Sequence, residues 1–158
     1  MRAKPADEAR REAAGQLPAP VVAVVSGSLD LPWDMPLWHE STCRPVVFTH
    51  TGADPERMTT AREHADVIVL DQTTPKAIYQ ALIERRLTRI VCEGGPQLLR
   101  DLVAADLVDE ADITVSPVFA GTENSPSTPA LPQVNEFRLT HVLHGDDTLM
   151  TRYLAQGR

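Results

Sequence analysis

The residues best suited to bind a ligand lie in one short stretch, Glu93-Gly94-Gly95-Pro96. It combines a carboxylate, two residues without side chains, and a proline that suits the first position of a helix. Glycine lets a ligand approach the backbone closely, and a helix start offers free amides and a partial positive charge. The stretch therefore predicts a phosphate-binding turn with an acid beside it. An ordinary strand-to-helix turn has a similar sequence and remains the alternative.

A second polar candidate is Ser26, which follows the apolar run Val21–Val25. That run predicts a buried strand. A hydroxyl at the end of a central strand suits contact with a ribose or a phosphate. The segment Ser26-Gly27-Ser28 also has the composition of a simple turn, so the residues alone leave both interpretations open.

The elements that must position these residues alternate between strand and helix. Val46–Thr49, Val67–Leu70 and Ile90–Cys92 are short, apolar and rich in β-branched residues, which predicts buried strands. Capping residues and helical periodicity predict helices in the intervening segments. These are residues 5–15, 54–64, 76–86 and the segment that begins at 96. Such alternation predicts an α/β fold with parallel crossovers.

The C-terminal third has a different pattern. Ile113–Ser116 alternates as a half-buried strand does, and residues 137–144 and 148–154 flank Gly145-Asp146-Asp147 as a hairpin would. Residues 121–133 are rich in Pro, Ser, Thr and Gly and predict a loop. We therefore expect a mixed, mainly parallel sheet closed by a C-terminal antiparallel hairpin, within one domain over residues 1–158.

The segment from Leu29 to Pro45 is irregular and carries two tryptophans, Trp33 and Trp38. With Leu37 they are expected to hold this loop on the body of the protein by apolar contact. A surface that stacks on a partner or on a base is the alternative.

Composition narrows the classes of partner. The 158 residues carry a formal net charge of −7 without a basic stripe, so neither nucleic acid nor an anionic membrane is expected. Two cysteines and five histidines lack the spacing of a disulfide framework or a metal site, and Cys92 is expected to be buried. No secretory signal and no apolar run of about 20 residues is present, so the expected location is the cytoplasm.

Three blocks of sequence, taken with their spacing, resemble one known family. They are Arg89–Pro96, Leu107–Glu110 and Thr114–Gly121. The blocks are similar to the reductase domain of riboflavin biosynthesis, the C-terminal domain of the bifunctional deaminase–reductase. The resemblance implies a dihydrofolate-reductase-like fold with three α/β/α layers, and it covers nearly the whole chain.

The resemblance also implies an activity, the NADPH-dependent reduction of the ribosyl group of 5-amino-6-(5-phosphoribosylamino)uracil to ribityl. The cofactor carries the hydride chemistry, so no catalytic side chain is assigned. Ser26 would contact the adenosine-phosphate end of NADPH, and Glu93 would contact the phosphorylated pyrimidine substrate. The remaining cofactor-binding positions, matched to the family's pyrophosphate segment, are Gly94, Gly95, Pro96, Gln97 and Leu98. A homodimer is also implied.

Two features of the family have no counterpart in this sequence: a first strand ending in Ser-x-Asp-Gly and a turn of the form Gly-x-Gly-Thr-Val. We therefore expect an N-terminally truncated member. A second hypothesis follows, a non-catalytic truncated paralogue that binds a nucleotide or serves as an interaction module through uncovered strand edges. A third is reduction of another pteridine-like or pyrimidine-like compound on the same fold.

Overall fold

The computed structural model describes residues 2–118, 131 and 134–157. The chain divides into two compact units, one up to Ala81 and one from Leu82 onward, and each is described by itself. The loop predicted over residues 121–133 lies outside the described residues, except for Leu131. The same holds for Phe119, Ala120 and Gly121 of the third family block.

The first unit is built on a three-stranded parallel sheet of β1 (Ala23–Val25), β2 (Val46–His50) and β3 (Asp66–Leu70) in the order β1-β2-β3. Both pairs of strands run parallel. The predicted parallel crossovers are therefore confirmed. β1 is shorter than the apolar run that predicted it, and the prediction that this strand is buried is wrong: Ala23 and Val25 are exposed and Val24 is half-buried, because β1 lies at the edge of the sheet. The helices are α1 (Pro5–Ala13), α2 (Pro36–His39), α3 (Pro55–His64) and α4 (Pro75–Glu84), which continues into the second unit.

The core of the first unit is centred on β2, because this strand lies between the other two. Its residues from Val46 to Thr49 are all buried. Val47 belongs to a buried cluster that also contains Leu29, Trp38, Ala61 and Ala65. Burial of a large apolar side chain contributes about 1.5–3 kcal/mol relative to leaving it exposed.

The loop with two tryptophans packs as predicted. Trp38 is buried in the core cluster, and its Nε1–H donates to the carbonyl of Pro32 at 2.9 Å. The rings of Trp33 and Trp38 lie 4.6 Å apart, and Trp33 stacks on His64 at 5.3 Å. These contacts hold the loop against α3 and confirm its packing role.

Helix α3 begins where the sequence predicted. The carboxylate of Asp54 accepts a hydrogen bond from the backbone N–H of Arg57 at 2.9 Å, and Pro55 occupies the first turn. The side chain satisfies an amide that has no partner within the helix.

The second unit contains α5 (Pro96–Ala104) and an antiparallel sheet of β4 (Glu110–Val115), β5 (Phe137–Gly145) and β6 (Thr148–Ala155) in the order β4-β6-β5. The predicted hairpin is confirmed. Its turn residues Asp146 and Asp147 have φ values of 49° and 56°, as the common two-residue hairpin turn requires.

The buried strand predicted at Ile90–Cys92 does not form, and that prediction is wrong. Residues 87–95 belong to no helix or strand, and Ile90 and Val91 are 45% and 82% exposed. A β-branched run becomes a strand only beside another strand that accepts its backbone hydrogen bonds. In the described residues it has no such neighbour, and the strands form a parallel and an antiparallel sheet rather than one mixed sheet.

The hydroxyl of Thr49 gives a test of the first unit. Thr49 is fully buried, and its Oγ1 has no hydrogen-bond partner among the described residues. We expect Thr49→Val to raise the free energy of unfolding by about 1 kcal/mol, because the shape is kept and an unpaired polar group is removed. Urea denaturation measures the change.

Thr49→Ser is the matched control. It keeps the hydroxyl and removes a buried methyl group, so it should lower the stability by about 1 kcal/mol. A Thr49→Val protein less stable than the native chain would contradict the assignment of an unsatisfied hydroxyl.

Candidate active site

The start of α5 is the part of the second unit best suited to bind an anion. Gly95 is the N-cap residue and Pro96 lies in the first turn. No side chain caps this end, and no acidic residue lies in its first turn. The first amides of the helix therefore keep their hydrogen-bonding capacity, and their partial positive charge is not neutralised by the helix itself.

The other long helices differ at this end. α1 has Asp7 and Glu8 in its first turn, and α3 has its Asp54 cap and Glu56. α4 is capped by the hydroxyl of Thr74, which accepts from the N–H of Ala77 at 3.3 Å. Among the helices of nine or more residues in the described chain, α5 alone has neither a side-chain cap nor an acidic first turn. This contrast favours the phosphate-binding interpretation over an ordinary turn.

The two glycines before α5 have different surroundings. A Cβ atom on Gly94 would lie 2.7 Å from Cδ2 of Leu98, so the absence of a side chain there lets Leu98 fold back over the turn. A Cβ atom on Gly95 would meet no atom within 4 Å. The open approach to the backbone is therefore at Gly95, whereas Gly94 serves the packing of the turn.

The remaining predicted residues of this segment are arranged around the turn. Glu93 is exposed two residues before the N-cap. The side-chain amide of Gln97 donates to the carboxylate oxygens of Asp101, both at 3.0 Å, so the side chain lies along the helix. Gln97 therefore contributes its backbone N–H to the helix start, and its side chain does not take part there. The structure thus brings a carboxylate and the uncapped amides of α5 together at one turn.

Ser26 belongs to the first unit, immediately after β1. Its backbone N–H donates to the carbonyl of Phe48 at 2.9 Å, which extends the parallel ladder by one residue. Its Oγ accepts from the N–H of Leu29 at 3.1 Å, so the hydroxyl also closes a turn. The hydroxyl hydrogen is still available to donate. Both interpretations of Ser26, turn residue and ligand contact, are compatible with this geometry.

No motif in the sequence marks His50, yet it ends β2 beside the turn that follows Ser26. Ring atoms of His50 lie close to both Gly27 and Gly52. The signal that points to it is a glycine in each of two turns that follow neighbouring parallel strands. That signal becomes meaningful only when the strands are known to pair.

The two cysteines differ in exposure. Cys92 is exposed, so the prediction that it is buried is wrong. Cys43 is half-buried, and its Sγ–H donates to the carbonyl of Ala19 at 3.3 Å. Within the described residues no group of three or more His, Cys, Asp or Glu side chains is placed to hold a metal ion. None of the described helices has the length and apolar character needed to cross a membrane.

A family model described as the RibD C-terminal domain matches residues 1–151. The chain belongs to this family. It is 27% identical over 146 residues to the riboflavin biosynthesis protein RibD of Synechocystis sp., covering 86% of this chain and 39% of that protein. It is 27% identical over 120 residues to the 2,5-diamino-6-ribosylamino-4(3H)-pyrimidinone 5′-phosphate reductase of Archaeoglobus fulgidus, covering 75% of this chain and 54% of that protein.

Solved structures give the same fold for this RibD C-terminal domain. A pyrimidine reductase-like protein from Corynebacterium diphtheriae superposes with a TM-score of 0.79 at 21% identity, over 100% of this chain and 70% of that chain. RibD from Acinetobacter baumannii superposes with a TM-score of 0.69 at 18% identity, over 87% of this chain and 38% of that chain. The predicted α/β fold class is confirmed by these neighbours.

Thiol labelling tests the exposure of the segment before α5. We expect Cys92 to react with a water-soluble thiol reagent in the folded protein much faster than Cys43, because Cys92 is exposed and Cys43 is half-buried. Mass spectrometry of the labelled peptides identifies the site. Cys92→Ser should leave only the slow reaction. Rapid labelling of Cys43 and protection of Cys92 would contradict the exposed segment.

Proposed function

We propose that this chain is an NADPH-dependent reductase of riboflavin biosynthesis, which reduces the ribosyl group of 5-amino-6-(5-phosphoribosylamino)uracil to ribityl. The observation that carries the proposal is the uncapped, acid-free start of α5 beside the open backbone of Gly95. It lies in a chain of the RibD C-terminal domain family, and a curated relative is named as a pyrimidinone 5′-phosphate reductase. The chain spans 39% and 54% of the lengths of the two curated relatives.

The residues at this turn fit the cofactor. The amides at the start of α5 would hold the pyrophosphate, because they are uncapped and the space beside Gly95 is open. The segment concerned runs from Gly94 through Pro96 and Gln97 to Leu98. Ser26 would donate its hydroxyl to the adenosine-phosphate end. When bound, NADPH supplies the hydride.

Glu93 would bind and orient the substrate. Its carboxylate is exposed beside the turn and accepts hydrogen bonds only, so it suits the N–H and O–H groups of an aminopyrimidine and its ribose. A charged acceptor makes these bonds stronger than a neutral one would. The residue acts by positioning, since hydride transfer needs no nucleophilic side chain.

The proposal extends to the domain organisation, the oligomeric state and the cellular location of the protein. The two units belong to one reductase domain, as the match of a single family model across both supports. The protein acts as a homodimer in the cytoplasm, where NADPH and a phosphorylated pyrimidine are small soluble ligands. Self-association is supported by exposed apolar residues on one face of the antiparallel sheet, namely Ile113, Val115, Val142 and Leu149.

A non-catalytic role is the second candidate, favoured by a specific observation. Ile90 and Val91 immediately precede the turn and are exposed, although their residue types suit a strand. An interaction module that binds a nucleotide and offers this segment to another strand would use them. The two candidates are distinguished by catalysis, since only the first predicts that the chain reduces the substrate.

Binding of NADPH tests the cofactor site. At about 100 times its Kd, NADPH should stabilise the chain by about 2.7 kcal/mol, seen as a rise in melting temperature. We expect Gly95→Val to abolish this rise, because the side chain occupies the approach to the helix amides. The substitution should leave the fold intact, since φ is −61° and no atom lies within 4 Å of the new Cβ.

Gly145→Val is the matched control. Gly145 ends β5, and a Cβ atom there also meets no atom within 4 Å. This variant should keep the full NADPH shift. An equal shift in Gly95→Val would place the cofactor elsewhere, and no shift in the native chain would reject NADPH as its ligand.

Glu93→Gln tests the reductase itself. The substitution keeps the shape and removes the charge, so kcat/KM for the phosphoribosylaminopyrimidine should fall about tenfold or more. NADPH affinity should not change. NADPH oxidation at 340 nm, with product mass determined in parallel, measures the reaction.

Glu136→Gln, another exposed acid of the second unit, should retain native kcat/KM. A native chain that binds NADPH without any turnover would instead favour the non-catalytic candidate.

A further inference from the structure

His50 ends β2 at the carboxyl edge of the parallel sheet in the first unit. Beside it, the segment Ser26-Gly27-Ser28 follows β1, and Val25 pairs with Phe48 at the end of the ladder. In open α/β sheets, ligands bind in the crevice outside the carboxyl ends of the strands. His50 therefore occupies a position at which a side chain can face a ligand.

The imidazole of His50 is held in one orientation. The backbone N–H of Gly52 donates to its Nδ1 at 3.0 Å. Because Nδ1 accepts this bond, the neutral ring carries its proton on Nε2. The ring is half-buried, and Nε2 is a positioned hydrogen-bond donor.

Two glycines leave room for this ring. A Cβ atom on Gly52 would lie 3.2 Å from Nδ1 and 3.3 Å from Cε1 of His50, and one on Gly27 would lie 3.4 Å from both Cδ2 and Nε2. Neither glycine has a positive φ, so the backbone conformation does not require glycine at either position. At Gly52 the close approach of the imidazole gives the reason, whereas a Cβ atom on Gly27 would be in ordinary van der Waals contact with the ring. Its Nε2 edge faces the turn that follows Ser26.

Arg57 adds a cation to the same turn. Its Nη1 donates to the carbonyl of Ser28 at 3.1 Å, and its side chain remains about half exposed. The carboxylate of Asp30 lies 4.0 Å from the same nitrogen and offsets part of the charge. The guanidinium has further N–H donors with which to face an oxyanion.

We propose that His50 is a cofactor-binding residue of the first unit, whose Nε2–H donates to a sugar or phosphate oxygen in the adenosine half of NADP. Arg57 supports it with positive charge. This inference rests on the proposed function and adds a donor to the hydroxyl of Ser26 at the neighbouring turn. Where the acceptor is the 2′-phosphate, His50 also contributes to the choice between NADP and NAD.

Two substitutions separate the donor from the structural role of the ring. In His50→Asn, the side-chain carbonyl still accepts from Gly52, but the donor at the Nε2 position is lost. In His50→Gln, the longer amide returns an N–H to that position. His144→Gln, an exposed histidine of β5, is the matched control. Calorimetric titration of the 158-residue chain with NADP⁺ and with NAD⁺ measures each affinity.

We expect His50→Asn to bind NADP⁺ about three- to tenfold more weakly, as loss of one hydrogen bond predicts, and His50→Gln to recover part of this loss. The control should bind as the native chain does. A loss for NADP⁺ alone assigns the bond to the 2′-phosphate, and an equal loss for NAD⁺ assigns it to an oxygen that both cofactors share. Both results support the inference.

Gly27→Ala provides an independent variant, because its methyl group lies against the Nε2 edge without altering His50. It should weaken NADP⁺ binding as His50→Asn does. Native affinity in both variants overturns the inference and leaves the proposed function standing. A native chain that binds neither dinucleotide overturns both, so the two failures are distinguishable.

Discussion

The first unit depends on the pairing of β2 with a parallel strand on each side. Because both of its edges are occupied, its backbone groups are satisfied without water, and the side chains from Val46 to Thr49 are all buried. Parallel pairing also aligns the strand ends. The turns after β1 and β2 therefore meet at one edge, where Ser26 and His50 lie on neighbouring strands. The same ladder that excludes water from the core displays these polar groups.

The main feature of the second unit is a helix start whose first amides have no side-chain cap. α3 and α4 satisfy theirs with Asp54 and Thr74, whereas α5 has no side chain in that role. An uncapped start costs helix stability, on the order of 1 kcal/mol relative to a good cap. Retaining it is reasonable where a ligand anion takes the place of the cap. In the proposed function, the cofactor binds at the helix amides beside Gly95 and the substrate binds beside Glu93.

Exposed apolar residues immediately precede the turn at the start of α5. Ile90 and Val91 have the composition of an inner strand but are exposed in the described chain, and β4 pairs on one side only. An unpaired strand edge and an exposed apolar run both favour association with further polypeptide. The homodimer of the proposed function is one way in which such surface becomes covered.

Local patterns in the sequence determined most of the elements. The Asp54-Pro55 start of α3, the parallel crossovers and the Asp146-Asp147 hairpin follow from capping, burial periodicity and turn preference, which act over a few residues. The Glu93–Pro96 turn and its family resemblance were likewise readable from residue types at fixed spacing. Tertiary structure alone decided that Ile90–Cys92 is no strand and that Cys92 is exposed, because strand formation and burial require a neighbour distant in sequence. It also decided the separate roles of Gly94 and Gly95, and the position of the His50 ring between Gly27 and Gly52. Both depend on contacts across turns.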